Sequence, residues 1–203
     1  MQFQDELFDS KREFFNLTGG RLILIRNFLE PQLAEELFHQ FNAKTIWEQN
    51  QLFIANRYVD IPRLNAWYAD SSQGYTYSGI QLQPLPEYAE LMNLRHRLIN
   101  ETGLQLNSCL LNCYRNGQDS VAWHCDDEPE LGRNPTIVSI SFGAERKFMI
   151  RSLHDHDEKL CLLLPHNSLL IMEGEIQHRY EHQVPKETNV SQRRINLTFR
   201  QIY

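Results

Sequence analysis

The second half of the chain alternates between short apolar runs and turn residues. Turns are indicated by Asn116-Gly117, Pro165-His166-Asn167 and Glu173-Gly174, because such residues interrupt regular structure. Short runs set this closely are typical of strands in a sandwich or a double-sheet jelly roll. The expected strands are Cys109 to Tyr114, Val121 to His124, Thr136 to Phe142, Lys147 to Arg151, Leu160 to Leu164, Ser168 to Met172 and Ile195 to Gln201.

The first half shows helical spacing in two places, after a short expected strand from Arg21 to Ile25. Pro31 opens the first helix, and its apolar residues recur four apart, which places them on one face. They are Leu33, Leu37 and Phe41. The second helix is expected from near Pro86 to Gly103. Its inward residues are expected to be Tyr88, Leu91, Met92 and Leu98. Both helices would pack outside one sheet, so the pattern predicts an α+β, mainly β fold.

These patterns divide the chain into parts. Residues 1–20 are polar, end in Gly19-Gly20 and are expected to form a loosely tied N-terminal arm. Residues 21–203 are expected to form one domain, with supporting helices in 21–103 and the jelly-roll core in 104–203. The stretch from Phe53 to Gly79 is rich in Tyr, Trp and Arg. We expect hairpins and loops there, over the mouth of the barrel.

Composition narrows the class of protein. Hydrophobic residues make up 41% and charged residues 23% of 203 positions, as in ordinary globular domains, and no apolar run approaches the roughly 20 residues that cross a bilayer. The N-terminus lacks the apolar core of a secretory signal, and the four cysteines show no paired spacing. We therefore expect a cytoplasmic protein, nuclear in a eukaryote, with reduced thiols and no membrane partner. The net charge of −6 counts mildly against a nucleic-acid substrate but permits local phosphate contacts.

One group of polar residues in the second half has the spacing of a metal site. His124 and Asp126 are two residues apart, and on an extended segment they share a face while Cys125 points away. A later histidine, His182 or His178, could complete two histidines and a carboxylate, the ligand set of non-haem iron(II) oxygenases. Arg194 and Arg200, six residues apart on the last strand, would suit a dicarboxylate, which a guanidinium fork grips well. The alternatives are a polar surface loop around His124 and solubilising charge on a strand edge.

Five motifs in order resemble the AlkB family of nucleic-acid dealkylating dioxygenases. They are Asn112-Cys113-Tyr114, His124-Cys125-Asp126-Asp127-Glu128, Ser139-Ile140-Ser141-Phe142-Gly143, Tyr180-Glu181-His182, and Arg194-Ile195-Asn196-Leu197-Thr198-Phe199-Arg200. The last motif resembles the family's R-x-N-x-T-F-R signature and is highly specific. Upstream, Pro62 to Tyr68 and Tyr75 to Gly79 look like segments of the second and third human members, and the third is the closer.

The resemblance implies cofactors and roles. Iron(II) would be held by His124, Asp126 and His182, and 2-oxoglutarate and O2 would be co-substrates. Contacts to 2-oxoglutarate would come from Asn112, Tyr114, Ser139, Arg194, Asn196 and Arg200. Arg200 would contact the distal carboxylate, and Arg194 would lie near the other end.

The resemblance also implies a substrate and a reaction. Tyr75 and Tyr77 would line the base pocket, and Glu128 would read a cationic methylated base. The 21–103 region would act as a substrate-recognition lid, and 104–203 as the catalytic core. The implied reaction is demethylation of N1-methyladenine and N3-methylcytosine in DNA, with RNA as a further candidate. It would release formaldehyde, succinate and CO2, and we expect the enzyme to be a monomer.

Three other functions remain open at this point. A member of the same superfamily could act on protein or lipid, and a jelly roll could bind methylated nucleic acid without turnover. A cupin-type isomerase or hydrolase would leave Arg194 and Arg200 without a role.

Leu52-Phe53-Ile54 could form an apolar finger or a buried hairpin. Preference for single or double strands is open as well.

Overall fold

The computed structural model describes residues 12–54, 56–70, 75–77 and 80–203, and for residues 54, 75–77 and 80–82 the backbone alone. The strands are β1 (Arg12–Leu17), β2 (Gly20–Ile25), β3 (Gln51–Ile54), β4 (Arg57–Asp60), β5 (Leu64–Ala69), β6 (Tyr75–Tyr77), β7 (Ile80–Leu82), β8 (Ser108–Tyr114), β9 (Val121–His124), β10 (Ile137–Gly143), β11 (Arg146–Ser152), β12 (Lys159–Leu164), β13 (Ser168–Gly174), β14 (Tyr180–Val184) and β15 (Arg194–Arg200). The helices are α1 (Pro31–Lys44), α2 (Ala89–Thr102) and the short α3 (Ile176–Arg179). Within the described ranges, no helix has the length and apolar character needed to cross a membrane.

Two antiparallel sheets form the jelly roll. The major sheet has the order β1-β2-β13-β10-β15-β8-β5, and the minor sheet has the order β12-β11-β14-β9. Two separate hairpins, β3–β4 and β6–β7, lie outside both sheets. The mainly β prediction is confirmed.

Both faces of the major sheet carry buried apolar residues because each face has its own cover. Ile23 and Ile25 of β2 belong to a cluster with α1 and α2, whereas Leu22 and Leu24 belong to a second cluster with strands of the minor sheet. Successive strand residues point to opposite faces, so one strand serves both clusters. The prediction that the helices pack outside one sheet is confirmed.

The structure corrects four expectations. Residues 12–17 were expected in a loose arm, but they form edge strand β1, paired with β2 along its whole length; residues 1–11 lie outside the described part of the chain. β5 was expected among hairpins and loops over the mouth of the barrel, yet it pairs with β8 in the major sheet. Met92 was expected inward but is 39% exposed. β14 was not expected as a strand.

Candidate active site

All nine residues predicted to bind metal or 2-oxoglutarate line one pocket between the two sheets. The major sheet contributes Asn112, Tyr114, Ser139, Arg194, Asn196 and Arg200. The minor sheet and the loop that follows β9 contribute His124, Asp126 and His182. Residues far apart along the chain therefore meet in one place, which argues against a surface loop.

Strand β15 supplies the polar floor of the pocket. Arg194, Asn196 and Arg200 line the pocket, whereas Ile195 and Leu197 pack against the helices, as alternation along a strand requires. All of these residues are buried, Arg194 to 1% and Arg200 to 3% exposure. Buried arginines cannot serve as solubilising charge, so the edge-charge interpretation is wrong.

The register of the major sheet determines which polar groups meet. Asn196 lies opposite Asn112 and Arg194 opposite Tyr114 across β15 and β8. On the other side of β15, Nδ2 of Asn196 donates to Oγ of Ser139 (2.8 Å). The sheet thus presents amide, phenol, hydroxyl and guanidinium groups on a single face.

The two histidines predicted to bind the metal are cross-strand neighbours. His124 of β9 pairs directly with His182 of β14, and their ring centroids are 4.3 Å apart. The candidate ligand atoms of His124, Asp126 and His182 all lie within 4.8 Å of one another. His178 lies in α3, where its Nε2 accepts from the backbone N–H of Asn134 (3.3 Å). Strand pairing therefore selects His182 over His178.

Asp126 reaches this site in a different way from the one expected. The strand ends at His124, so Asp126 lies on irregular backbone rather than on the same strand face. Its backbone N–H is bonded to the Gln177 side chain (3.0 Å). Cys125, next to it, donates from Sγ to the Tyr180 carbonyl (3.4 Å), which agrees with its exclusion as a ligand. All four cysteines are free thiols.

The protonation states of the triad suit a cation. Burial lowers the pKa of His182 to about 3, with the adjacent His124 acting in the same direction, and burial also lowers the pKa of His124. Burial opposes ionisation of Asp126, but Arg200 and the two histidines outweigh it, and its pKa falls to about 2. Nδ1 of His124 lies 2.9 Å from the Ala122 carbonyl, an acceptor, so Nε2 carries the lone pair.

The two arginines of β15 occupy different ends of the pocket. Nη2 of Arg200 is 2.9 Å from Oδ2 of Asp126, so Arg200 lies at the metal end. Arg194 instead donates from Nη2 to Ser141 Oγ (2.9 Å) and lies 5.1 Å from the Tyr114 ring centroid. The expected order, with Arg200 at the distal carboxylate and Arg194 near the other end, disagrees with this ion pair.

The residues present fit iron(II) and 2-oxoglutarate. Among the described residues, Oδ1 of Asp126 and Nε and Nη1 of Arg194 are buried with no hydrogen-bond partner. Such groups are costly unless something binds them. A cation would satisfy the carboxylate oxygen, and an acidic ligand would satisfy the guanidinium. Two histidines and one carboxylate on one side of an ion leave room for a bidentate co-substrate and O2.

A cleft of about 540 Å³ opens beside the metal pocket, and the sequence pattern did not predict its walls. His124 and Val121 line both spaces. The other wall residues come from the β3–β4 hairpin, the segment after it, β9 and the end of β14. They are Leu52, Val59, Asp60, Ile61, Pro62, Arg63, Ser120, Ala122, Trp123, Gln183, Pro185 and Lys186.

Arg63 links the cleft to the metal pocket. Its Nε donates to Oδ1 of Asn112 (2.8 Å), although its own side chain lines the cleft. No site role was predicted for this residue from the sequence. Its only signal was its place in the Pro62 to Tyr68 segment that resembles the family.

The predicted substrate residues are only partly described. Tyr75 and Tyr77 lie in β6, which pairs with β7, but their side chains lie outside the described part of the structure. Glu128 precedes a 3₁₀ turn, Pro129–Leu131, two residues after the predicted ligand Asp126. Their substrate contacts stay predictions.

Comparisons with known proteins agree with this geometry. A family model, the 2OG-Fe(II) oxygenase superfamily, matches residues 21–200. The chain is 40% identical to the Bos taurus "Alpha-ketoglutarate-dependent dioxygenase alkB homolog 3" and 39% identical to the Homo sapiens protein of that name. Both matches run over 193 residues and cover 91% of this chain and 67% of the relative.

Two further comparisons extend these matches. The Bos taurus "DNA oxidative demethylase ALKBH2" is 35% identical over 179 residues, covering 83% of this chain and 64% of that protein. A solved structure titled "The structure of OsALKBH1" shares the fold, with a TM-score of 0.58 at 18% identity over 93% of this chain and 100% of that one. This chain belongs to the AlkB family of the 2OG-Fe(II) oxygenase superfamily and is an iron(II)- and 2-oxoglutarate-dependent dioxygenase.

Proposed function

We propose that this dioxygenase removes methyl groups from N1-methyladenine and N3-methylcytosine in nucleic acid, releasing formaldehyde, succinate and CO2. The observation that carries the proposal is the cleft beside the metal pocket, because His124 lines both spaces. A base held in the cleft would lie next to the metal. The relatives named for DNA oxidative demethylation support the same substrate class.

The chemistry of the cleft suits a base and its backbone. Leu52, Val59 and Pro62 give apolar walls, and Trp123 adds an aromatic one, as a flipped base requires. Lys186 is a cation at the same cleft and could contact a phosphate locally. The net charge of −6 does not oppose contacts of this kind.

A carboxylate at the cleft suits a cationic base. N1-methyladenine and N3-methylcytosine carry a positive charge that the unmethylated bases lack, so a carboxylate favours the methylated form. Asp60 lines the cleft, where its Oδ1 accepts from Gln51 (2.7 Å). Glu128 is the predicted reader by resemblance, and Asp60 is a second candidate that the structure adds.

The residues divide the work of binding. Bound iron with 2-oxoglutarate and O2 supplies the oxidising power for hydroxylation of the methyl group. His124, Asp126 and His182 would hold the metal, and Arg200 keeps Asp126 ionised. Arg194, farther from the metal, would hold the distal carboxylate of 2-oxoglutarate, with Tyr114 beside it.

The product profile tests this proposal. The enzyme is incubated with oligonucleotides that carry one N1-methyladenine or N3-methylcytosine, as single- and double-stranded DNA and as RNA, with and without 2-oxoglutarate. We expect formaldehyde and the unmethylated base in equal amounts, only when 2-oxoglutarate is present. His124→Ala should abolish both products.

Two outcomes would contradict the proposal in different ways. Succinate formation without loss of methyl from any oligonucleotide would keep the dioxygenase and reject the substrate, and protein or lipid would become the class to test. Binding of methylated oligonucleotide without succinate would indicate a non-catalytic binding module.

A further inference from the structure

A buried glutamine lies beside the metal site and belongs to none of the predicted roles. Gln177 is 0% exposed and lies in α3, the single turn between β13 and β14. His182 follows five residues later on β14. The side chain of Gln177 therefore starts from the segment that carries one metal ligand.

The Gln177 amide bonds to the segment that carries another ligand. Its Oε1 accepts the backbone N–H of Asp126 at 3.0 Å. Its Nε2 lies 3.6 Å from the sulfur of Met172, and a thioether is a weak acceptor. The stronger of these two bonds is the one to Asp126.

Asp126 needs support of this kind because no strand holds it. β9 ends at His124, and residues 125–128 have no regular structure. Arg200 holds one carboxylate oxygen of Asp126, which leaves the backbone to set the direction of the other. The bond from Gln177 fixes that backbone relative to α3 and β14.

The apolar surroundings of Gln177 argue against a purely space-filling role for its side chain. Ile176, the preceding residue, and Met172, which the Gln177 amide contacts, are buried to 2% exposure or less and belong to the apolar cluster between the sheets. An amide in such a place costs free energy unless it is bonded, and an apolar side chain would fill the space at a lower cost. What only the amide supplies is an acceptor for the buried Asp126 N–H.

We propose that Gln177 is a positioning residue for the metal ligand Asp126. It aims the carboxylate at the metal by holding the Asp126 backbone where no strand does so. The proposal concerns metal binding alone and does not depend on the identity of the substrate. Groups that orient metal ligands typically contribute about 10- to 100-fold to metal affinity.

Gln177→Met removes the acceptor and keeps most of the volume. We expect its dissociation constant for Mn(II), titrated by electron paramagnetic resonance, to rise about 10- to 100-fold. The visible charge-transfer band of the anaerobic Fe(II)·2-oxoglutarate complex should weaken or shift. Gln177→Glu keeps an acceptor oxygen, and its affinity should stay closer to that of the unaltered protein.

His178→Ala is the matched control, since His178 neighbours Gln177 in α3 but contacts the Asn134 backbone instead. It should leave metal affinity unchanged. Titrations are run below the melting temperature of the least stable metal-free variant, so that all proteins are folded. Unchanged affinity in Gln177→Met, even with a lower melting temperature, would overturn the proposal, as would equal losses in Gln177→Met and Gln177→Glu.

Discussion

The two arginines of β15 show how strand position alone can mislead. They are six residues apart on one face, and that spacing fits either order along a dicarboxylate. The ion pair between Arg200 and Asp126 breaks the symmetry, because the arginine nearer the metal cannot also bind the far carboxylate. Arg194 is therefore the arginine that we propose for the far carboxylate.

Replacing Arg194 should therefore separate 2-oxoglutarate binding from metal binding. Arg194→Met removes a charge-assisted contact, and such contacts contribute about 1.5–3 kcal/mol. We expect the KM for 2-oxoglutarate to rise by at least about tenfold while the metal dissociation constant is unchanged. Steady-state succinate release and Mn(II) titration measure the two quantities. An unchanged KM would instead support the order expected from the resemblance, with Arg200 at the distal carboxylate.

For the metal site, spacing in the sequence predicted His124 and Asp126 but left the third ligand open, and only the family resemblance favoured His182 over His178. His178 and His182 are four residues apart, and only the pairing of β14 with β9 brings one of them opposite His124. Strand pairing joins residues that are distant in the chain, so a local sequence pattern cannot predict which residues pair. Gln177 was missed for the same reason, since its partner is 51 residues away.

Among the elements, the β3–β4 hairpin has two different faces. Leu52 pairs with Val59, and Phe53 pairs with Tyr58, so alternate residues point to opposite sides. Leu52 and Val59 line the cleft, whereas Phe53 and Tyr58 are 62% and 72% exposed. Of the two alternatives left open for this segment, an apolar finger or a buried hairpin, the exposed Phe53 and Tyr58 argue against the buried hairpin.

The proposed substrate would meet the Leu52 face of this hairpin. Leu52→Ala removes apolar contact worth about 1 kcal/mol, and we expect a roughly fivefold rise in KM for the methylated oligonucleotide. Phe53→Ala is the control from the opposite face and should have a smaller effect. Neither change should alter the KM for 2-oxoglutarate. A larger effect of Phe53→Ala would place the nucleic acid on the exposed face.

Arg95 of helix α2 connects the two ends of the segment that contains the β6–β7 hairpin. Its guanidinium bonds both oxygens of Asp70, just after β5, and Oε2 of Glu87, just before α2. The chain between Asp70 and Glu87 includes the β6–β7 hairpin. One buried cation thus ties together the two ends of that segment.

Loss of Arg95 should destabilise the protein markedly. Arg95→Met leaves Glu87 buried without its cation, and breaking such pairs costs about 3 kcal/mol or more. Lys44→Met is the comparison, because Lys44 pairs with Glu90 at the surface, where an ion pair contributes less than about 1 kcal/mol. Urea unfolding of both variants measures the difference. Equal losses of unfolding free energy in the two variants would mean that the buried ion pairs of Arg95 contribute no more than a surface ion pair.

Turn residues and apolar runs predicted the core strands to within one or two residues, because most of these strands are rich in buried apolar residues and are bounded by turns. β1 was missed because its residues alternate between exposed and half-buried, which gives little apolar signal. β14 was missed because its inward positions include His182, a predicted metal ligand in place of an apolar residue. These elements depend on their partners more than on their own composition.

Over the whole molecule, the two sheets hold different halves of the site. The minor sheet carries His124 and His182, and the major sheet carries Arg194 and Asn196. A co-substrate bound to the metal and to Arg194 would connect the sheets. Metal and 2-oxoglutarate should therefore stabilise the fold as a pair rather than separately.

Thermal unfolding tests this coupling. A ligand at 100 times its dissociation constant adds about 2.7 kcal/mol, which for a chain of this length is roughly 5–10 °C in Tm. We expect Mn(II) alone to raise Tm, 2-oxoglutarate alone to raise it little, and the two together to exceed the sum. His124→Ala should lose both shifts, while Arg194→Met should keep the metal shift and lose the other. A 2-oxoglutarate shift that is the same with and without metal would show that the co-substrate binds the major sheet alone, and the site would not bridge the two sheets.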